Sequence, residues 1–350
     1  MISRKLLIAT FVCSFAAMPL FAQNADKFFL KGRDLYNKGA YDSAVAYLNA
    51  SVKANPKHAN TYFYRGNAKE QLNRHEEAIA DYNEAVKLDP KDPLIFCNRG
   101  IAKSMLKMTD AARADYESAI KLNPKMAAPY MYRGNIYDDQ KKFDLAIADY
   151  DQAIKLEPDN ARAYNNRGVT RSNLKQYAEA VEDYNEAIKL DPKYARALDN
   201  RGNARYELKQ YKEAIADFDE AIAIDPRSAK AYDNRGRAKD ELKMHKEAVE
   251  DYNQALQLDP QNANAYNNRG VARLQLKMYQ QALEDFREAV HRDSKNPIPY
   301  NSAGYAYYKM GNCQKAIENY DLSVKLGGQA YTPQYEYRAE AAKKCKGKKK

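Results

Sequence analysis

An all-α solenoid is the fold class that this sequence predicts, and three periodic series predict it. Nine of the 14 glycines, Gly32, Gly66, Gly100, Gly134, Gly168, Gly202, Gly236, Gly270 and Gly304, stand 34 residues apart. Prolines keep the same step from Pro56 through Pro90, Pro124, Pro158, Pro192 and Pro226 to Pro260, as do alanines from Ala44 to Ala316. An aromatic follows each alanine after the first by four residues, at Tyr82, Tyr116, Tyr150, Tyr184, Phe218, Tyr252, Phe286 and Tyr320. Self-similarity at such a period marks a stacked array, so 350 residues need not mean two or three globular domains. A chain with 30% charged residues, 29 Tyr, no Trp and few glycines is not collagen-like, disordered or a polytopic membrane protein.

The first element is a leader, residues 1–22. Arg4 and Lys5 form a short basic region, residues 6–21 are uncharged and mostly apolar, and Ala22 precedes Gln23 at an acceptable cleavage site. The apolar run is shorter than a membrane span usually requires and contains Pro19, so a cleaved signal peptide is expected rather than a retained anchor. Cys13 follows Phe11-Val12 without the small residue of a lipidation site. The protein is therefore expected to be exported, periplasmic or secreted, with a bacterial envelope as its setting.

The array follows. With glycine as position 8, units run over residues 25–58, 59–92, 93–126, 127–160, 161–194, 195–228, 229–262, 263–296 and 297–330. Within residues 161–192, Tyr164, Gly168, Ala180, Tyr184 and Ala187 recur at helical spacing around a turn near Lys175 and Gln176, which is a helical hairpin. One hairpin cannot bury its own apolar face, so each must stack on its neighbours. Gly at position 8 and Ala at position 20 are expected to let the two helix backbones approach. The end units depart from the pattern, with Leu48 for the aromatic, Ser294 and Gly328 for proline and Ser323 for alanine. Residues 331–344, with Arg338 at the glycine position, read as a capping helix, and residues 345–350 as a basic tail.

These series resemble the tetratricopeptide repeat, in which two antiparallel helices pack closely and a proline ends the second. The resemblance covers nearly the whole chain beyond the leader. It implies a right-handed superhelix of nine repeats that binds partner proteins in a concave groove lined by the first helices.

One departure from the family pattern is informative. Position 7, usually leucine, is arginine at Arg65, Arg99, Arg133, Arg167, Arg201, Arg235 and Arg269. Sixteen residues later the same repeats carry Asp81, Asp115, Asp149, Asp183, Asp217, Asp251 and Asp285, whereas the first and ninth repeats have neither residue. Shared presence and absence predicts ion pairs between first and second helices, because a partly buried charge needs a partner. A row of arginines for phosphate or carboxylate ligands is the alternative.

Catalysis is not expected. His58, His75, His245 and His291 form no paired motif and read as solvated surface residues, there is no phosphate loop, and the carboxylates recur instead of converging. No cofactor, metal or small-molecule substrate is implied. Position 6 is asparagine at Asn98, Asn166, Asn200, Asn234 and Asn268, a row able to pair with the backbone of an extended peptide. It is similar to the asparagine ladder in the repeat superhelix of O-GlcNAc transferases. The row breaks at Tyr64, Tyr132 and Ser302, and asparagines that only satisfy local hydrogen bonds are the other reading. Groove positions also hold Asp138, Asp139, Asp199, Glu207, Asp233, Asp240 and Glu241 among Arg162, Arg196, Lys230 and Arg237.

That mixed, slightly acidic face suits polar or basic peptides and not nucleic acid, which would require many cationic contacts. The net charge of +10 resides mostly in the leader and in Lys343, Lys344, Lys346, Lys348, Lys349 and Lys350, leaving about +2 for the body. The lysine and arginine of the chaperone-tail clamp are absent from their positions. The function expected is a non-catalytic protein-binding scaffold. One rival is an envelope adaptor whose tail binds anionic polymer or lipid, the only route to a membrane; the other is an accessory subunit of an enzyme complex. Lastly, antiparallel packing of the capping helix on the preceding one would bring Cys313 and Cys345 together as a disulfide in an oxidising compartment, leaving Cys97 as the odd thiol.

Overall fold

The computed structural model describes residues 13–327 and 340–343, with side chains from residue 24 onward. All of the regular structure among them is helical. In chain order the helices are α1 (Cys13–Asn37), α2 (Tyr41–Ala54), α3 (Ala59–Gln71), α4 (His75–Leu88), α5 (Pro93–Met105), α6 (Thr109–Leu122), α7 (Ala127–Asp139), α8 (Phe143–Leu156) and α9 (Ala161–Asn173). They continue as α10 (Tyr177–Leu190), α11 (Ala195–Glu207), α12 (Tyr211–Ile224), α13 (Ala229–Glu241), α14 (His245–Leu258), α15 (Ala263–Gln275), α16 (Tyr279–Arg292), α17 (Pro297–Lys309) and α18 (Cys313–Gly327). Odd-numbered helices are the first of each pair. The chain divides into two compact units, Met1–Thr170 and Arg171–Lys350, in each of which consecutive helices pack as antiparallel pairs and pairs stack on pairs.

Local chemistry sets the helix ends. The residue before each periodic, repeat-ending proline is extended: Asp89, ahead of Pro90, has φ −135° and ψ 87° and closes α4 through its N–H on the Ala85 carbonyl at 2.8 Å. First helices start on side-chain caps at Asp92, Ser228, Asn262 and Asn296, with Pro93 and Pro297 in the first turn. Between the helices of a pair, one residue turns left-handed. Gly39 and Gly311 fill that place in the end repeats, but Asn73 and six lysines, Lys107 (φ 58°) through Lys277 (φ 62°), fill it elsewhere. The next residue's N–H then reaches back into the helix, as from Met108 to the Lys103 carbonyl at 2.9 Å.

In seven pairs the core is a glycine facing a ring, while Gly32 faces Leu48. A Cβ on Gly100 would sit 2.5 Å from Cε1 of Tyr116, and one on Gly270 would sit 2.5 Å from Cε1 of Phe286. The position-8 glycine therefore makes room for the aromatic ring of the second helix, correcting the expectation that it serves a backbone contact. Alanines from Ala44 to Ala316 at position 20 are wholly buried, and within each unit they hold the helices of a pair close.

α1 continues through Ala22 and Gln23, where the sequence places the end of the leader; residues 1–12 lie outside the described part. A distinct C-terminal helical segment at 340–343 packs Ala341 against Tyr308, Ala316 and Tyr320, and Glu340 accepts a hydrogen bond from the Tyr308 hydroxyl at 2.9 Å. The rest of the expected capping helix, the basic tail and Cys345 lie outside the described residues. Cys313 is disulfide-bonded, and Cys97 is a free, buried thiol that burial pushes up to about 12. No described helix is long and apolar enough to cross a membrane.

Candidate peptide-binding face

Two rows of side chains run along each unit, one joining the helices of a pair and one joining successive first helices. In the first row, six arginines meet the aspartate 16 residues on: Arg65 with Asp81, Arg99 with Asp115, Arg133 with Asp149, Arg201 with Asp217, Arg235 with Asp251 and Arg269 with Asp285. Each donates from Nε and Nη2, as Arg99 does at 2.9 and 2.7 Å, in the two-pronged geometry of a guanidinium on a carboxylate. Arg167 and Asp183 lie in different units; within its own unit Arg167 reaches Asp151, and in the other unit Asp183 accepts from Arg171 at 2.9 Å. Most of these guanidiniums also lie over the position-4 ring, as Arg65 lies 5.3 Å from the centre of Tyr62.

Sequence reasoning missed the second cation on each carboxylate. Lys69, Lys103, Arg205, Lys239 and Arg273, one helical turn beyond the position-7 arginine, approach Asp81, Asp115, Asp217, Asp251 and Asp285 within 2.7–2.8 Å. A basic residue at position 11 of these repeats was the available signal. The exception is the fourth repeat, where Tyr137 takes that position and its ring lies 5.8 Å from the Arg133 guanidinium.

The second row contains the predicted asparagines. Asn98 donates its amide N–H to Oδ1 of Asn67 at 2.9 Å, and Asn166 does the same to Asn135 at 2.9 Å. Those acceptors also take the hydroxyls of Tyr82 (2.7 Å) and Tyr150 (2.8 Å). In the other unit Asn234 donates to Asp199 at 3.1 Å and Asn268 to Asp233 at 3.2 Å. Asn200 occupies the same position on α11. The row thus braces α5, α9, α13 and α15 each against the first helix before it. An amide has two N–H groups and an acceptor, so one such bond does not exhaust it.

Several groove carboxylates are compensated from within. Asp199 also binds Lys230 at 2.8 Å, and Asp138 accepts the Thr170 hydroxyl at 2.7 Å. Arg237 lies over the Tyr206 ring at 4.5 Å, whose hydroxyl donates to Glu241 at 3.2 Å. Two histidines expected at the solvated surface are instead partly buried beside acids: His75 meets Glu70 at 3.0 Å and His245 meets Asp240 at 2.9 Å. His58 contacts Thr61 at 2.7 Å and the edge of the Phe29 ring. The acid at position 12 and the histidine at position 17 lie on either side of the turn, so the chain reversal brings them together.

Burial pushes the Asp233 carboxyl above the usual range, although the Asn268 hydrogen bond and the Arg237 charge pull it down. The folded state therefore favours the protonated acid, and that contribution is lost as pH rises through the raised value. Asp233→Asn keeps an acceptor for Asn268 without the charge. The variant is expected to be more stable than the parent at pH 7, with the advantage shrinking towards pH 4, read from urea midpoints at both values.

In the first unit the face opens into a cleft of about 240 Å³, lined by Tyr36, Asn67, Glu70, Gln71, Tyr82, Asn98, Ile101 and Tyr132. Apart from the Tyr82 ring beneath it, the lining comes from the four first helices α1, α3, α5 and α7. Tyr132 stacks on Tyr116, with centroids 5.8 Å apart and planes at 20°, and Tyr36 meets Tyr64 edge-on at 5.8 Å. The rings are thereby held in place before any ligand arrives. Tyr132, which interrupts the asparagine row, supplies a wall of the cleft. Among the described residues no group of three or more His, Cys, Asp or Glu is placed to hold a metal ion.

Sequence models of the tetratricopeptide repeat match residues 29–93, 95–126, 161–194 and 263–296, and a further model of the same repeat matches 134–175, 202–239 and 241–277. The chain is a tetratricopeptide-repeat protein. No curated protein matches it in sequence. Among solved structures, the tetratricopeptide-repeat chain is similar to a chain of the APC/C hetero-tetramer Cut9-Hcn1, at 17% identity and a TM-score of 0.59 over 80% of this chain and 55% of that one. It therefore spans about half the length of that relative. A tetratricopeptide repeat protein from Parabacteroides merdae aligns at 21% identity and a TM-score of 0.55, over 71% of this chain and 99% of its own. Pseudomonas aeruginosa pilF aligns at 20% and 0.54, over 61% and 97%. At these identities the likeness concerns the fold. Repeats of this family are non-catalytic scaffolds that bind proteins or peptides, and this chain is one of them.

Proposed function

We propose that this tetratricopeptide-repeat scaffold is exported and holds an extended peptide segment of a partner protein along its first-helix face. The cleft in the first unit carries the reading. Its apolar walls, Tyr36, Ile101 and Tyr132, suit a side chain, while Gln71 and Asn98 offer amide groups able to pair with a peptide backbone. Glu70 and the acids of the neighbouring repeats favour a polar or basic sequence over an acidic one. Export rests on the leader at residues 1–22, and an oxidising compartment also suits a Cys313–Cys345 bridge, the pairing we propose for the disulfide-bonded Cys313. The test is photo-crosslinking in the native host from positions 36, 98 and 132, compared with second-helix positions on the opposite side of the array.

A further inference from the structure

The ninth repeat lacks the arginine that fills a well-defined socket elsewhere. In the eighth repeat the Arg269 guanidinium lies 5.4 Å from the centre of the Tyr266 ring, donates from Nε and Nη2 to Asp285, and donates from Nη1 to Asn253 of the preceding repeat at 2.8 Å. Thirty-four residues on, the ring is kept as Tyr300, but Ala303 replaces the arginine, Asn319 the aspartate and Arg287 the preceding repeat's asparagine. A hollow of about 190 Å³ opens where the guanidinium would lie. Leu283, Phe286, Val290 and Tyr307 complete its apolar walls.

The three replacements invert the chemistry of the socket. The carboxylate and the preceding repeat's amide are both gone: Asn319, which turns its amide N–H to the Lys315 carbonyl at 2.9 Å, keeps only a neutral amide oxygen, and Arg287 is the charged group among the described lining residues. Its neighbour Glu288 is bound by Arg292. An occupant must therefore bring an anion to Arg287 and an apolar body to the walls. An aspartate or glutamate side chain brings the anion without the body. A terminal residue with an apolar side chain brings both on one Cα. We propose that this hollow, formed by α16, α17 and α18 and separate from the first-helix cleft, binds the C-terminal residue of a partner polypeptide, with its apolar side chain in the hollow and its α-carboxylate on Arg287.

The experiment titrates the intact protein with Gly-Ser peptides ending in phenylalanine, as free acid or amide, and follows the methyl NMR signals of Leu283 and Val290. The free acid is expected to shift both signals. The amide, and an amidated Gly-Ser peptide with an interior aspartate, should bind at least tenfold more weakly. Arg287→Asn should weaken the free acid at least tenfold, and because Arg287 is exposed it should leave the fold unchanged. Ala303→Arg with Asn319→Asp restores the filled socket of the other repeats; it should abolish the shifts while melting no lower than the parent. Equal binding of acid and amide, binding retained in the refilled variant, or no response to the free acid would each overturn the proposal.

Discussion

Asp217→Ala is expected to cost about 3–5 kcal/mol, the usual penalty for removing one partner of a buried ion pair. The Asp217 carboxylate is almost wholly buried and accepts from Arg201 Nη2 at 2.6 Å and Arg205 Nη1 at 2.7 Å. Without it two guanidiniums face each other in a partly dry space. Because a repeat array opens locally, the loss should appear first as faster amide exchange in α11 and α12 and then in the urea midpoint. The triple change Arg201→Met, Arg205→Leu and Asp217→Leu should restore much of the loss, since an apolar cluster of similar volume carries no desolvation penalty. A loss below about 1 kcal/mol for Asp217→Ala would show that the row is surface decoration rather than bracing.

Gly100→Val should lower stability by about 3 kcal/mol, at the upper end of overpacking costs. Helix propensity pulls the other way, by up to about 1 kcal/mol for glycine to alanine. The added Cβ, however, would lie 2.5 Å from Tyr116 Cε1 and 2.9 Å from Cδ1, and that ring is wholly buried against its neighbours. Packing wins because a rigid ring cannot bend aside as a flexible side chain can. In a Tyr116→Ala background the same substitution should cost little or nothing, so a double-mutant cycle isolates the contact. Equal costs with and without the ring would contradict the packing account.

The 34-residue series made the fold legible because each periodic residue answers a local demand. Proline stops α4 at Asp89, and alanine holds the pair together at positions such as Ala214. The Arg–Asp row was legible for a different reason, the joint absence of both residues from the first and ninth repeats. Position 11 was periodic too, but a lysine there, such as Lys69, reads equally well as a solvated charge until α4 places Asp81 beside it. The role of glycine was misread because sequence shows that a side chain is absent and not what occupies its space. Asn67 was invisible as a hub, because its partners Tyr82 and Asn98 come 15 and 31 residues later on two other helices. The cleft and the hollow beside Ala303 depend on how side-chain volumes add up across several helices, which no single spacing encodes.

The central claim is that the first-helix face holds the partner while the arginine row only braces the array. A photo-reactive amino acid introduced at position 36, 98 or 132, and at second-helix positions 84, 117 and 186, tests it most directly when irradiated in the native host. The account predicts a discrete crosslinked protein from the first three positions, joined through an extended polar or basic segment, and none from the last three. Crosslinks from 84, 117 and 186, with 36, 98 and 132 silent, would contradict it.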